Sequence, residues 1–409
     1  MRVVLLTQWF DPEPTFKGLT FARELVRQGF EVEVVTGFPN YPGGKLYPGY
    51  RVSLIRRDEI DGVRITRLPL YPSHDGSALG RIANYASFAA SSLLYGLFRM
   101  KRPDVLYAYH PPLTVGVTAS LLRLFRRIPV VYDIQDMWPD TLRATGMMNN
   151  EKVLSVIDRV CRWVYRRVDH LVVLSPGFKR LLIERGVPAQ KVEVIYNWCE
   201  EDGVNAPAGV CPPGFPDASR FRIVFAGNMG KAQALVAVLE AASIVAVSRP
   251  DICFVFVGSG VELDGLKREV ANRKLANVVF IPRVPMSEVG AILAAAEALL
   301  VHLKDDPLFA ITIPSKTQAY LAIGRPVLMA VPGDAAALVQ SAGCGVTAEA
   351  ENPQSIAAAA IRLAEMPADE RQAMGACSRD YYWKHLSLSV GVGHFAECFR
   401  QVASPCGRG

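Results

Sequence analysis

Residues 221–260 read FRIVFAGNMGKAQALVAVLEAASIVAVSRPDICFVFVGSG, and this stretch decides the fold. Two apolar runs of strand length, FRIVFAGN and ICFVFVGSG, flank a longer segment whose apolar residues have helical spacing. Strands that alternate with longer helical periods predict a parallel sheet that is covered by helices on both faces.

The same alternation runs along most of the chain. Before residue 199 the strand-like runs are RVVLLTQ, EVEVVTG, PDVLYAYH, IPVVYDIQD, VDHLVVLSP and KVEVIYNW, and after residue 220 the series continues with NVVFIPRV, ALLVHL, PVLMAV and CGVTAEA. Residues 199–220 contain four prolines and three glycines without periodicity, which is typical of a linker. We therefore predict an α/β protein of two doubly wound, Rossmann-like domains, residues 1–200 and 201–384, that face a central cleft.

The composition is that of a globular protein. The chain has 409 residues, of which 50% are hydrophobic and 21% charged, and its net charge of +6 does not indicate nucleic acid as a partner. Eight scattered cysteines, with no C-x-x-C pair and no histidine at metal-ligand spacing, predict reduced thiols in a cytoplasmic protein without a metal site.

Three segments mix arginine or lysine with aromatic or aliphatic residues: residues 98–103, 123–129 and 161–170. This composition is typical of a surface that touches anionic lipid, and ordinary solvated helix faces explain it equally well. The longest apolar stretch, residues 81–100, is too polar for a spanning helix and predicts an amphipathic helix lying on a surface.

Polar residues follow the strands of the second predicted domain. Glycine lets a backbone approach a phosphate closely, and helix N-termini offer free N–H groups to it. One such turn is usually only a turn, but several at one sheet edge, two of them with a lysine, predict a diphosphate site. The residues predicted to bind the molecule that carries this diphosphate are Gly227, Asn228, Lys231, Gln233, Gly258, Gly260, Arg283, Ser315 and Lys316.

Lys316 is the most informative of these residues. The sequence TIPSKTQAYLA, residues 312–322, opens a helix with a lysine in the first turn, where the helix dipole is already positive. An anion at this position would remove the conflict. Neither a Walker pattern, a G-x-G-x-x-G nor a D-x-D occurs, which disfavours a P-loop NTPase, a dinucleotide enzyme and a metal-bridged diphosphate.

The first predicted domain offers different chemistry. His110 is the last residue of the strand-like run PDVLYAYH, while Asp133, Asp136 and Trp138 come after the strand IPVVY. A loop histidine satisfied by the backbone and a helix-capping aspartate are the structural alternatives for His110 and Asp136.

Taken together, several segments resemble the retaining GT-B glycosyltransferases of family 4, in the branch that builds bacterial capsule, O-antigen and colanic-acid-type polysaccharides. They are GFPNYPGGKLYPGY, YDIQDMWPDTL, VVLSPGFKRLLIERGVP, KVEVIYNW, AGNMGKAQAL and IPSKTQAYLAIGRPVL. The resemblance covers nearly the whole chain. It implies that a C-terminal helix at about residues 385–405 packs back on the first domain.

The resemblance also implies roles for single positions. His110 matches the active-site histidine that contacts the donor sugar, and Arg283 with Val284 matches the loop that pairs with the nucleobase. Gly18 matches a glycine-bearing turn, so Lys17, Gly18 and Trp138 are predicted to bind the acceptor and Asp136 its hydroxyl.

The chain departs from the family pattern at three places. Asn228 stands where many members have arginine, and Gln233 where many have lysine. The two glutamates of the donor domain are replaced by Ile311 and Ala319. These departures make Ser315 and Lys316 the preferred diphosphate binders.

The function implied is transfer of a hexosyl or N-acetylhexosaminyl group from a nucleotide-diphosphate sugar, with UDP as the default, to a polyprenyl-diphosphate-linked saccharide. Neither a cofactor nor a metal is expected, and the enzyme is expected to lie in the cytoplasm on the inner face of the membrane. The alternatives are a UDP-sugar 2-epimerase and a non-catalytic sugar-nucleotide-binding subunit.

Overall fold

The computed structural model describes residues 1–73, 78–204 and 211–404. The chain divides into two compact units, which are described separately: unit 1 holds residues 1–196 and the chain from Gly391 onward, and unit 2 holds residues 197–390. The sequence-based boundaries lay at residues 200 and 384, so the two divisions differ by a few residues at each crossing.

Unit 1 is built on an eight-stranded sheet. Its strands are β1 (Arg2–Leu6), β2 (Glu31–Gly37), β3 (Arg56–Ile60), β4 (Val63–Leu68), β5 (Val105–Tyr109), β6 (Val130–Ile134), β7 (His170–Val173) and β8 (Val192–Val194). The order across the sheet is β3-β4-β2-β1-β5-β6-β7-β8, and only β3 runs antiparallel to its neighbour. The chain reverses its direction of winding between β1 and β5, the place where ligands bind in such sheets.

The helices between these strands are α1 (Leu19–Arg27), α2 (Ala78–Phe98), α3 (Leu113–Arg126), α4 (Asp140–Ala144), α5 (Glu151–Arg167) and α6 (Pro176–Glu184), with a 3₁₀ turn at Ala189–Lys191. The β3–β4 hairpin was not predicted. It turns at Asp61 and Gly62, which have φ values of 51° and 78°, as a two-residue hairpin turn requires.

Unit 2 is built on a six-stranded parallel sheet, and all six of its strands were predicted. They are β9 (Phe221–Asn228), β10 (Ile252–Ser259), β11 (Val278–Ile281), β12 (Ala298–His302), β13 (Val327–Ala330) and β14 (Gly345–Thr347), in the order β11-β10-β9-β12-β13-β14. The reversal of winding here lies between β9 and β12.

The remaining helices are α7 (Glu201–Val204), α8 (Val236–Ser248), α9 (Leu263–Arg273), α10 (Met286–Ala294), α11 (Pro307–Ala310), α12 (Lys316–Ile323), α13 (Asp334–Ser341), α14 (Pro353–Glu365), α15 (Ala368–His385) and α16 (Leu388–Ala403), with a 3₁₀ turn at Lys231–Gln233. Apolar faces of α8 and α14 bury one side of the sheet around Phe254, Leu300 and Leu328.

The predicted linker is partly ordered. Residues 201–204 form α7, and Glu201 accepts hydrogen bonds from the Tyr382 hydroxyl at 2.9 Å and from the Leu388 N–H at 2.7 Å. Residues 205–210 of the predicted linker lie outside the described residues.

The C-terminal helix α16 packs on unit 1 through its residues after Gly391. Phe395 packs edge-on against Phe21 and Tyr107, with ring centroids 5.3 and 5.5 Å apart. Seven cysteines are free thiols, and Cys406 lies outside the described residues. Within the described part of the chain, no helix combines the length and the apolarity needed to cross a membrane.

Candidate active site

Glycines allow the ends of β9 and β10 to touch. Gly227 and Gly258 have φ values of +139° and +137°, and a Cβ on Gly258 would lie 2.1 Å from the carbonyl oxygen of Gly227. Gly260 has φ +158°, and a Cβ there would lie 2.3 Å from the Met229 carbonyl oxygen. Side chains are excluded at Gly258 and Gly260, so the loops after both strands approach each other with bare backbone.

The side chain of Lys316 points into this region from the first residue of α12. Its Nζ lies 3.4 Å from the ring centroid of Phe225 and 3.4 Å from the position of a Cβ on Gly227. The Nζ is buried and makes no hydrogen bond with any described residue. Burial lowers the pKa of Lys316 to about 7. The structure thus holds a desolvated cation beside the glycine at the end of β9, at the helix N-terminus where an anion was predicted.

His302, at the end of β12, connects two loops beside Lys316. Its Nδ1 lies 2.6 Å from the Gln233 carbonyl oxygen, and its Nε2 accepts the Glu351 N–H at 3.1 Å. The proton must therefore sit on Nδ1, and burial lowers the pKa of this imidazole. His302 is structural and fixes the loop that carries Lys231 and Gln233.

The other predicted donor residues are less constrained. The Oε1 of Gln233 accepts the Gly230 N–H at 3.0 Å, so this amide shapes the loop. Asn228, Lys231, Arg283 and Ser315 are exposed, and Val284 is half-buried. Arg283 and Val284 follow β11, the edge strand of the sheet. Donor contacts of these side chains stay predictions.

In unit 1, Lys17 forms a buried ion pair with Asp133. Its Nζ lies 3.4 Å from Oδ2 of Asp133, and both side chains are fully buried. The same Oδ2 accepts the Tyr107 hydroxyl at 2.5 Å, and Oδ1 accepts Nε2 of Gln135 at 2.7 Å. The sequence had suggested that Asp133 follows β6, but Asp133 is a residue of that strand. An acceptor contact of the Lys17 ammonium stays a prediction, because this structure does not expose that group.

Gly18 has a packing role at the start of α1. The carboxylate of Asp11 accepts the Leu19 N–H at 2.6 Å, and a Cβ on Gly18 would lie 2.3 Å from the same carboxylate oxygen. The missing side chain at position 18 therefore makes room for Asp11. Its role in binding the acceptor stays a prediction.

His110 lies at the reversal point of the first sheet, directly after β5. Its imidazole is buried against Trp138 and Tyr132, with centroid distances of 5.3 and 6.0 Å and nearly perpendicular rings. Its Nδ1 makes no hydrogen bond with a described residue, and burial lowers its pKa to about 3. The ring is consequently neutral at physiological pH, and its Nδ1 is a buried atom.

Asp136 and Trp138 share the loop after β6. The Trp138 ring packs against His110, while Asp136 is half-buried and burial raises the pKa of its carboxyl group. The fold thus brings His110 and Trp138 into contact.

Two buried groups carry no sequence signal and were missed. Phe225, below Lys316, reads in the sequence as an ordinary core residue of β9. Glu13 accepts the N–H groups of Asn40 and Tyr41 at 2.7 and 2.8 Å and so holds the loop that begins GFPNYPGG. Burial raises the pKa of Glu13 to about 7, against the effect of these donors.

Comparison with known proteins identifies the family of the chain. Residues 19–198 match a glycosyl transferase 4-like domain, and residues 215–380 match glycosyl transferases group 1. The chain is 24% identical over 312 residues to the probable glycosyltransferase WbjE of Pseudomonas aeruginosa, which covers 75% of this chain and 76% of that protein. It is 28% identical over 341 residues to the putative colanic acid biosynthesis glycosyl transferase WcaI of Escherichia coli strain K12, covering 79% and 82%.

Among solved structures, Anabaena HepE in complex with UDP and glucose superposes with a TM-score of 0.67 at 15% identity, over 97% of this chain and 99% of that one. This likeness confirms the GT-B fold that was predicted. The chain belongs to the glycosyltransferases, with a family 4-like domain followed by a group 1 domain on a GT-B fold.

Proposed function

We propose that this glycosyltransferase moves a sugar, with retention of configuration and without a metal, from a UDP-sugar to a polyprenyl-diphosphate-linked saccharide at the inner face of the cytoplasmic membrane. The product would enter bacterial surface polysaccharide. The name of the relative WcaI, which refers to colanic acid biosynthesis, supports this pathway class. The UDP bound to Anabaena HepE supports the choice of nucleotide.

The buried ammonium of Lys316 carries the proposal. A cation without an anionic or hydrogen-bonding partner among the described residues costs free energy, and a diphosphate beside Gly227 would supply the missing partner. The N-terminus of α12 adds its dipole to the same point. Together they can stabilise the charge that develops on a departing nucleoside diphosphate, which is the work a metal does in other enzymes.

We assign the orientation of the donor sugar and the binding of the acceptor hydroxyl to residues of unit 1. In a retaining transfer of this kind, the leaving diphosphate can take the proton of the acceptor hydroxyl on the same face of the sugar, so no opposing base is required. The neutral His110 would orient the donor sugar through its free Nδ1. Asp136 would bind the acceptor hydroxyl; it lies half-buried in the loop after β6.

An apolar stripe on α2 supports contact with the membrane. The exposed fractions of Leu79, Ile82, Leu94 and Phe98 are 79%, 61%, 58% and 77%, and these residues recur at helical spacing on the outer face. The exposed alanines Ala83, Ala86 and Ala90 lie between them. Arg99, Lys101 and Arg102 follow directly. Apolar side chains beside basic ones match the boundary of an anionic bilayer.

The proposal is tested with the full chain, labelled UDP-sugars and a polyprenyl-diphosphate saccharide in mixed micelles containing a chelator. We expect a labelled lipid-linked product from one UDP-sugar, and its loss in His110→Asn and Lys316→Met. Each UDP-sugar is also incubated without acceptor. Its conversion to a different nucleotide sugar would show an epimerase, and failure of transfer from all donors to all acceptors would overturn the proposal.

A further inference from the structure

A second group of reactive side chains lies apart from the residues discussed above. His170 is the first residue of β7, Glu193 is on the neighbouring β8, and Cys398 is on α16. Glu193 pairs in register with Val172, and side chains alternate along a strand, so His170 and Glu193 project from the same face of the sheet. Three elements that are distant in sequence thus converge on one point.

The ligand atoms of these residues lie within 4.8 Å of one another. The Nε2 of His170 lies 3.3 Å from Oε2 of Glu193, yet this nitrogen is buried and makes no hydrogen bond with a described residue. Burial raises the pKa of the Cys398 thiol well above its ordinary value, and the Glu193 carboxylate, to which the thiol is hydrogen-bonded, raises it further. A buried nitrogen without a hydrogen-bond partner among the described residues, a thiol and a carboxylate therefore face one another.

We propose that His170, Glu193 and Cys398 bind one Zn²⁺ ion that fastens α16 to β7 and β8. Imidazole, thiolate and carboxylate are the three ligand types that zinc prefers, at bond lengths of about 2.0–2.3 Å. Ligands around a tetrahedral ion at these lengths are separated by roughly 3.3–3.8 Å, so small side-chain shifts suffice. On binding, the thiol proton of Cys398 is released to solvent.

The three side chains would leave the fourth position of the ion to a water molecule. The Cys398 residue is 1% exposed, whereas the side chains of His170 and Glu193 are 15% and 37% exposed. Solvent can therefore reach the fourth position from the side of Glu193. This site could not be predicted from the sequence, because its ligands belong to three separate segments that meet only where α16 packs on unit 1.

The site is tested on the full chain without a polyhistidine tag, after stripping with a chelator. Cobalt(II) is the probe, because a bound thiolate gives a near-ultraviolet charge-transfer band. We expect saturation at one Co²⁺ per chain, displacement by Zn²⁺, and a Tm higher by about 5–10 °C at a hundredfold excess of Zn²⁺ over its Kd.

Cys398→Ala should lose the band, and Cys377→Ala is the matched control, because Cys377 is an exposed thiol on α15 of unit 2. Should Cys398→Ala fail to fold, Glu193→Gln should retain the band with at least tenfold weaker binding. A band that survives Cys398→Ala, or a stripped protein that takes up no Co²⁺, would overturn the site. UDP binding to the stripped protein is measured in parallel, so the zinc site and the transferase are judged separately.

Discussion

Lys316 lowers the stability of the free protein at the position where we propose that it binds a diphosphate. Its ammonium is buried over Phe225 without a hydrogen-bond partner among the described residues, and an aromatic face returns only part of the lost hydration energy. The free protein is therefore destabilised at the point where an anion would restore that energy.

Lys316→Met should make the free protein more stable. Methionine has a similar length and leaves no buried charge, so we expect the free energy of unfolding to rise by about 1–3 kcal/mol near pH 7. Denaturant titration measures this change. Lys231→Met is the matched control, since that lysine is exposed, and it should change the value by less than about 0.5 kcal/mol. A less stable Lys316→Met protein would contradict the account.

Donor binding should weaken as the pH rises. The pKa of Lys316 is lowered to about 7 in the free protein. A bound diphosphate favours the ammonium, so its pKa rises on binding and a proton is taken up. The affinity for the diphosphate is therefore highest at pH values below 7, where Lys316 is protonated in the free protein, and it falls as the pH rises above 7. We expect the Kd of UDP-glucose to be about tenfold higher at pH 8 than at pH 6. Lys316→Arg, which stays charged, should flatten this dependence, and an equally steep slope in that variant would refute the assignment.

The sequence revealed Lys316 because a cation in the first turn of a helix is unusual. It could not reveal Phe225 below it, because an aromatic residue in a buried strand looks the same whether or not it supports a cation. For Lys17, the position in a strand-to-helix turn predicted acceptor binding, which stays a prediction. The sequence could not show that Lys17 also forms an ion pair with Asp133 of β6.

At the scale of elements, the junction between β9 and β10 depends on glycine. Gly258→Ala would place a Cβ 2.1 Å from the Gly227 carbonyl oxygen and would hold alanine at φ +137°. We expect it to lower the free energy of unfolding by about 2–3 kcal/mol and to weaken UDP binding. Gly265→Ala in α9 is the control: it has only Arg268 Nη2 at 4.0 Å, so stability should rise by up to about 1 kcal/mol. Thermal unfolding of both variants measures the two changes in stability. Equal Tm values for Gly258→Ala and Gly265→Ala would contradict the close packing at Gly258.

The apolar stripe of α2 makes a prediction about membrane binding. Leu94→Ser together with Phe98→Ser should reduce partitioning onto anionic vesicles about tenfold or more, because two large side chains leave the bilayer boundary. Co-sedimentation at low and high salt measures this. Val247→Ser is the matched control, since Val247 is 88% exposed on α8 of unit 2. The same loss in Val247→Ser, or no binding by the unaltered protein, would remove the membrane from the proposal.

Strongly periodic elements were predictable, and the irregular ones were not. The six strands described in unit 2 all follow from apolar runs of strand length. The β3–β4 hairpin was missed because RRDEI is charged and half-exposed, although its Asp61-Gly62 turn is a hairpin signal. The helix α7 lies in a stretch of low periodicity, and Tyr382 and Leu388 hold it through Glu201.

At the scale of the whole molecule, the two-unit architecture followed from the alternation of strands and helices, and the glycosyltransferase family from motifs spread along the chain. Contacts between distant segments did not follow. The pairing of Lys17 with Asp133 and the meeting of His170, Glu193 and Cys398 depend on how strands are ordered and where α16 packs. The spacing of residues along the sequence does not determine which distant residues are in contact in the folded chain.

The most direct test of the central claim is a calorimetric titration of UDP into the unaltered protein, Lys316→Met and Lys231→Met at pH 6.5. We expect one UDP per chain for the unaltered protein and binding about 30-fold weaker or more in Lys316→Met. Lys231→Met should change the Kd much less. Equal Kd values for the unaltered protein and Lys316→Met would show that the buried lysine does not hold the diphosphate.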